Sequence, residues 1–162
     1  MKETEEVTIE AVKDIGPYLK SLIALYQKAY KGLEEYAYTR SRDIKGYIEW
    51  LFKRDREGFF IAFEGGKPIG FIGCDSNWVK NGKRIGEIHE IVVTPEKRGR
   101  GVGKKLILTA IEYFRKKGLK RSGLWVGEKN INAQKFYTQL GFKITEHRGK
   151  WIRMEKDLEE AT

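Results

Sequence analysis

The chain has 162 residues, and 32 Lys and Arg against 23 Asp and Glu give it a net charge of +9. That length suits a single domain over 1–162, with a core from about 7 to 157 and flexible ends, able to bury roughly 70% of its unfolded surface. Apolar runs such as Phe59 to Phe63 are too short for a membrane span, Met1-Lys2-Glu3 opens no signal peptide, and Cys74 with only His89 and His147 gives neither an internal disulfide nor a metal-ligand cluster, so a cytoplasmic protein without metal or membrane partner is expected.

Val7 to Ala11 alternates as a strand does. Asp14 is placed to cap a helix with apolar positions Ile15, Leu19, Leu22, Ile23, Tyr26 and Tyr30, Pro17 being tolerable in its first turn. Lys31 to Arg40 reads as a loop or ragged helix. Ser41 or Asp43 then opens a second helix carrying Ile44, Tyr47, Ile48, Leu51 and Phe52, with Gly58 as its end. Phe59 to Phe63 and Ile69 to Cys74 flank Glu64-Gly65-Gly66-Lys67 as a hairpin, and a turn at Asn81-Gly82 leads into a strand from Ile85 to Val93. Gly101 to Lys117 reads as an amphipathic helix that buries Gly103, Ile107, Ala110, Ile111 and Phe114 and stops at Gly118. Leu124 to Val126, joined to the preceding strand through that helix, should run parallel to it. A short helix bearing Ala133, Phe136, Tyr137 and Leu140 ends at Gly141, and Phe142 to Thr145 with Trp151 to Met154 closes as a hairpin around Arg148-Gly149. The order is β-α-α-β-β-β-α-β-α-β-β.

The most informative stretch is Arg98-Gly99-Arg100-Gly101-Val102-Gly103-Lys104, where a strand gives way to a helix. Backbone N–H groups in the first helical turn lack intrahelical partners, glycine allows close approach of a ligand, and the helix dipole adds about half a positive charge there. The stretch reads as an anion cradle. A Walker loop would need glycine at 98 and Ser or Thr at 105, where Arg98 and Lys105 stand; a dinucleotide fingerprint would need glycine at 104, where Lys104 stands. Ten Lys or Arg lie between Glu96 and Arg121 against Glu96 and Glu112, so most of the basic surplus sits beside the cradle. Charge alone would support non-specific nucleic-acid binding, yet no RNA- or DNA-reading motif accompanies it, and nucleic acid is not the expected partner.

What fits is R/Q-x-x-G-x-G/A, met by Arg98, Gly101 and Gly103 after Ile91-Val92-Val93-Thr94-Pro95. Downstream, Asn130, Ala133, Phe136-Tyr137 and Gly141-Phe142 complete a pattern that resembles the GCN5-related N-acetyltransferase (GNAT) superfamily. The resemblance is specific from about Glu87 to Phe142; Met1 to Asn81 agrees in element order. It implies an α/β (α+β) fold: a mixed, mostly antiparallel central sheet of about six to seven strands with helices on both faces, forming one N-acetyltransferase domain. It also implies an acetyl-CoA-dependent N-acetyltransferase acting on a primary amine by direct attack in a ternary complex. The alternatives are an acyl-CoA-binding protein without catalysis and, behind it, a basic nucleic-acid-binding protein.

Carried over from the family, the backbone of Ile91, Val92 and Val93 would meet the pantetheine arm. Arg98, Gly99, Arg100, Gly101, Val102, Gly103 and Lys104 would hold the coenzyme A pyrophosphate, with Asn130 beside the arm. Tyr137 matches the tyrosine that protonates the leaving thiolate, and a phenol with pKa near 10 keeps its proton at neutral pH. Glu87 falls where some members place a glutamate acting through water as the base. By strict alternation His89 shares its face and Glu90 takes the other, unless a bulge swaps them; Glu87 and Glu90 are both candidates, and His89 reads as a half-buried hydrogen-bonding residue. A strand N–H near Val93 is implied for the acetyl oxygen. The acceptor implied is a protein N terminus, a lysine, a polyamine or a small metabolite; Tyr30, Tyr36, Tyr38 and Trp50 are candidates for lining its side, although aromatic residues at helical spacing are more often core, which holds equally for Trp78 and Trp151, and a homodimer is compatible with the sequence.

Overall fold

A computed structural model describes residues 6–159. The flexible ends expected at Met1 to Glu6 and Glu159 to Thr162 lie largely outside that range. Seven strands form one sheet: β1 (Val7–Ala11), β2 (Phe59–Glu64), β3 (Lys67–Lys80), β4 (Lys83–Val93), β5 (Arg121–Gly127), β6 (Lys143–Arg148) and β7 (Trp151–Asp157), in the order β1-β2-β3-β4-β5-β7-β6. Every neighbouring pair is antiparallel except β4 and β5. The helices are α1 (Leu19–Ala29), α2 (Ser41–Arg54), α3 (Val102–Lys116) and α4 (Ile131–Gln139), so the chain follows the order read from periodicity and turn residues.

Two apolar clusters sandwich the sheet. One gathers Leu106, Ile107, Ala110 and Phe114 of α3 against Ile72, Cys74 and Ile88; the other gathers Leu22 and Tyr26 of α1 and Ile44, Ile48 and Leu51 of α2 against Phe59, Ile61, Phe71 and Val92. Each helix presents the face that its 3.6-residue apolar period dictates. Gly86 brings the β4 backbone directly under the Phe114 ring, where a Cβ would collide with ring carbons.

Local boundaries depart from the sequence reading for identifiable reasons. Asp14 does not cap α1: its carboxylate accepts from the N–H of Gly16 at 2.9 Å in a tight turn, a 3-10 turn follows over Gly16–Tyr18, and α1 starts at Leu19. At α2 the cap position is Arg40, and no side chain caps the helix. α2 ends at Arg54, short of Gly58, which instead lies against β3, where a Cβ would approach the Cys74 carbonyl to 2.5 Å. Segment 31–40 contains one 3-10 turn, Glu34–Tyr36. The β3–β4 hairpin is much longer than Ile69 to Cys74 suggests, running to the turn at Asn81 and Gly82. Asp75, Ser76 and Asn77 interrupt the apolar run of β3 in its middle, so periodicity alone could not reveal the outer half.

The feature that positions everything else is the end of the β4–β5 ladder. Parallel pairing covers only Gly86 with Ser122 and Glu87 with Gly123, after which the strands diverge while β4 stays paired to β3 up to Val93. Phe114→Ala should lower stability by about 3–5 kcal/mol, read as a reduced denaturant midpoint at unchanged slope, because the side chain is fully buried beneath that junction.

Candidate functional site

The divergence of β4 and β5 opens a cleft of about 1270 Å3 running from the loop before α3, between the two strands, to segment 31–40 and the β6–β7 hairpin. It is lined by Glu90, Ile91, Val92, Val93, Arg98, Gly99, Gly101, Val102, Gly103, Lys104, Asn130 and Tyr137, so most residues singled out from sequence meet on one surface although three elements supply them. Glu87 and Arg100 are outside that lining.

At one end, Gly101 is the residue before α3, with φ 81°, and Gly99 has φ 78°. Non-glycine residues rarely adopt this left-handed conformation. A Cβ at either position would meet nothing within 4 Å, so the backbone borders open space, and α3 begins there with its free N–H groups. Arg98 donates from Nη2 to the carbonyl of Ala29 at 3.1 Å, which ties the loop to the end of α1. Arg100 turns away and pairs with Glu64 at 3.6 Å, and Lys97 reaches the same carboxylate at 2.6 Å. Lys104 has no ion-pair partner among the described residues, which leaves its charge available to the cleft.

Midway along, β4 carries a bulge: Gly73 of β3 faces Glu90, whereas Cys74 faces Ile88, so His89 is the extra residue. Ile88 packs on the α3 side, and Glu87, His89 and Glu90 all reach the α1–α2 side. The face swap therefore occurs, and strict alternation fails at this point. Glu90 is buried and accepts from the Tyr30 hydroxyl at 2.5 Å and the Tyr47 hydroxyl at 3.1 Å. Burial pushes its carboxyl up to about 7, against the opposing pull of those two hydrogen bonds. Tyr47 also donates to the His89 carbonyl at 3.1 Å, which locks the bulge. His89 is held through Nε2 by Asp75 at 2.9 Å, and Asp75, bonded also by Arg54 at 2.8 Å, is kept ionised with its pKa at about 2. The edges of Trp50 and Trp78 flank the imidazole, so neither tryptophan faces the cleft as Tyr30, Tyr36, Tyr38 and Trp151 do.

Glu87, a candidate base from sequence, is placed differently. Both its oxygens are taken by Arg153 of β7, at 2.7 and 2.8 Å, and both side chains are almost completely buried. Arg153 also donates through Nε to Glu155 and lies over the Trp125 ring. Its guanidinium crosses the backbone of Gly123, where a Cβ would overlap it. The pair thus bridges β4 and β7 across β5 at the last paired residues of the ladder.

Opposite β4, Asn130 caps α4, its Oδ1 accepting from the Ala133 N–H at 3.3 Å. Tyr137 projects from α4 into the cleft, and no protein group bonds its hydroxyl among the described residues. Burial, together with the negative charge of Glu90, raises its pKa above the ordinary phenol value, so it holds its proton. Tyr30 and Tyr47 as partners of Glu90, and the Asp75–His89 pair, carry no sequence signal beyond helical or strand periodicity. Among the described residues no cluster of His, Cys, Asp and Glu is arranged to hold a metal ion, and no helix is long and apolar enough to cross a membrane.

A family sequence model described as the acetyltransferase (GNAT) family matches residues 19–142. An uncharacterised N-acetyltransferase of Methanocaldococcus jannaschii is 46% identical over 140 residues, which is 85% of this chain but only 62% of that relative's length. Another, from Archaeoglobus fulgidus, is 43% identical over 133 residues, 81% of this chain and 90% of the relative. Among solved structures, a protein of Pyrococcus horikoshii OT3 superposes with a TM-score of 0.86 at 39% identity, covering 94% of this chain and 98% of that one. A PaiA N-acetyltransferase from Thermoplasma acidophilum in complex with coenzyme A does so at 0.77 and 25% identity, covering 94% and 99%.

Arg153→Met should destabilise the protein by about 3–5 kcal/mol in equilibrium unfolding, because it strands a buried carboxylate. The double replacement Glu87→Leu with Arg153→Met should recover most of that loss; an additive loss would show that the pair is not a coupled clamp.

Proposed function

The chain belongs to the acetyltransferase (GNAT) family, and we propose that it is an acetyl-CoA-dependent N-acetyltransferase that acetylates a primary amine by direct attack within a ternary complex. The observation that carries this reading is the unpaired edge of β4 beyond Glu87, which ends at an anion cradle and passes a carboxylate and a phenol facing one cleft. The cradle suits a pyrophosphate: two left-handed glycines leave its backbone bare, an α-helix begins behind it, and Arg98 and Lys104 border the same space. The β4 backbone from Ile91 to Val93, free of β5, suits the amide-bearing pantetheine arm, and Asn130 lies across from it.

Acetyl-CoA supplies an acetyl group activated as a thioester. The chain's own residues then have three tasks. Glu90, poised near neutrality, accepts the proton of the incoming ammonium directly or through water, which makes the nitrogen lone pair available. Tyr30 and Tyr47 orient that carboxylate and favour its ionised form. The nitrogen then forms the C–N bond at the thioester carbonyl, and as the C–S bond breaks Tyr137 delivers a proton to the departing sulfur and regains one from the second N–H of the new amide nitrogen through water, while a β4 backbone N–H near Val93 meets the negative charge that grows on the acetyl oxygen. Glu90 takes the role of base here in preference to Glu87, whose oxygens are both engaged by Arg153 outside the cleft. Glu87 is a positioning residue that fixes where the strands part.

Tyr137→Phe should lower kcat by about 100-fold while calorimetry shows acetyl-CoA affinity nearly unchanged; equal turnover at saturating substrates would remove the acid role. Gly101→Asp should abolish acetyl-CoA binding, since it puts a side chain and a negative charge where the anion would lie. The pH profile of kcat/KM should rise with pH through about 7 as Glu90 ionises. Tyr30→Phe removes a hydrogen bond that stabilises the ionised form, so the midpoint should move to higher pH.

A further inference from the structure

The end of the cleft away from the cradle is not an open groove. Segment 31–40 crosses it, and Tyr36, at the centre of that segment, is fastened to the far wall. Its hydroxyl accepts from the Lys129 N–H at 3.0 Å, its ring meets Trp151 edge-on at 5.3 Å, and it lies so close over Gly127 of β5 that a Cβ there would come within 2.5 Å of the ring. Lys150, from the β6–β7 turn, donates to the Glu35 carbonyl and stands over both the Tyr36 and Trp151 rings. The result is a roofed passage leading to Glu90.

Its walls have a consistent chemistry. Tyr30, Tyr36, Tyr38, Tyr47, Trp125 and Trp151 supply aromatic surface, and Glu90 is the one carboxylate among the described residues that line the whole cleft. The acids on the elements around the mouth are engaged elsewhere: Glu34 accepts from the Gly32 N–H at 2.9 Å, Glu35 lies 4.0 Å from Lys129, Glu128 binds His147 at 2.9 Å, and Glu146 binds Lys80 and Arg148. Arg148 lines the mouth, and its guanidinium stands over the Trp125 ring. One ammonium can exchange its water for aromatic faces and the Glu90 carboxylate. A second ammonium on the same molecule would find no second carboxylate in the lining and would face Arg148.

Resting on the acetyltransferase reading, we propose that the acceptor is a slender primary amine with one positive charge on an otherwise uncharged stem, and that Tyr36, as the latch of the roof over the passage, is a specificity-determining residue. The same chemistry is offered by a flexible peptide N terminus and by a free alkyl monoamine. Branched or bulky amines are excluded by the roof, and polyamines by the absence of a second counter-charge.

The test measures coenzyme A release from acetyl-CoA with four acceptors: butylamine, a neutral tetrapeptide amide with a free α-amine, spermidine, and tert-octylamine. The peptide and butylamine arms distinguish the two sources. The better of these two should exceed spermidine in kcat/KM by at least about 10-fold. Tyr36→Ala should raise kcat/KM for tert-octylamine relative to butylamine and leave the KM for acetyl-CoA unchanged. Lys150→Ala, which loosens the roof without removing an aromatic wall, should move the same ratio in the same direction and covers the case in which Tyr36→Ala does not fold. Spermidine as the preferred acceptor, or a relative specificity unmoved by the folded variants, would overturn this inference and leave the acetyltransferase reading intact. Tight acetyl-CoA binding with no turnover of any amine would overturn both.

Discussion

The short parallel contact between β4 and β5 governs the rest of this structure. Two residue pairs join the strands, and beyond Glu87 and Gly123 they separate. A sheet that stayed paired would satisfy its backbone internally and present a closed surface; one that parts leaves a strand edge with donors and acceptors facing a cleft. The buried Arg153–Glu87 pair sits at the junction, spanning the glycine backbone of β5. A bidentate pair of this kind has a narrow range of acceptable geometries. Its contribution is therefore the position of the split more than net stability, since desolvation offsets much of its Coulomb attraction.

From that junction the chemistry of the cleft follows by distance along β4. The first free turn of strand holds the bulge at His89, which brings Glu90 to the same side as Glu87 and in front of the tyrosines of α1 and α2. Two hydroxyls and a buried setting act in opposite directions on that carboxyl, and the balance puts its pKa up at about 7. Farther along, the strand gives way to glycines whose left-handed conformation opens the backbone at the start of α3. Glycine loop, strand edge and buried carboxyl are thus successive features of a single strand and the loop after it. α4 contributes Tyr137 from across the cleft, and segment 31–40 closes the far end.

The positive charge of the chain has a related logic. Lys and Arg cluster around α3, yet several are neutralised in place: Lys97 and Arg100 by Glu64, Lys117 by Glu57, Lys116 by Glu112. Arg98 and Lys104, together with the Glu64-paired Lys97, border the cleft beside the glycines. At the opposite end the basic residues serve another purpose, since Lys150 binds a carbonyl and two aromatic rings rather than an anion. Net charge therefore describes two distinct devices, one proposed to address a polyanion and one that holds segment 31–40 in place.

The sequence by itself determined the order of the elements, the faces that α1, α2 and α3 bury, the parallel crossover and the glycine-rich loop before α3. These depend on neighbours within one or two turns: apolar period, turn residues, and glycine where the backbone must be left-handed. The tertiary structure decided which of Glu87 and Glu90 lines the cleft, because a one-residue bulge brings Glu90 to the side that Glu87 already faces while Arg153, distant in the chain, takes both Glu87 oxygens. It also decided that tyrosines spaced like core residues turn their hydroxyls on a buried carboxyl. In the same way, Arg100 turns away from the cleft and Tyr36 reaches across to β5. Each of these depends on a partner far away in the chain: a strand pattern shows which side a residue faces, and packing alone shows what waits for it there.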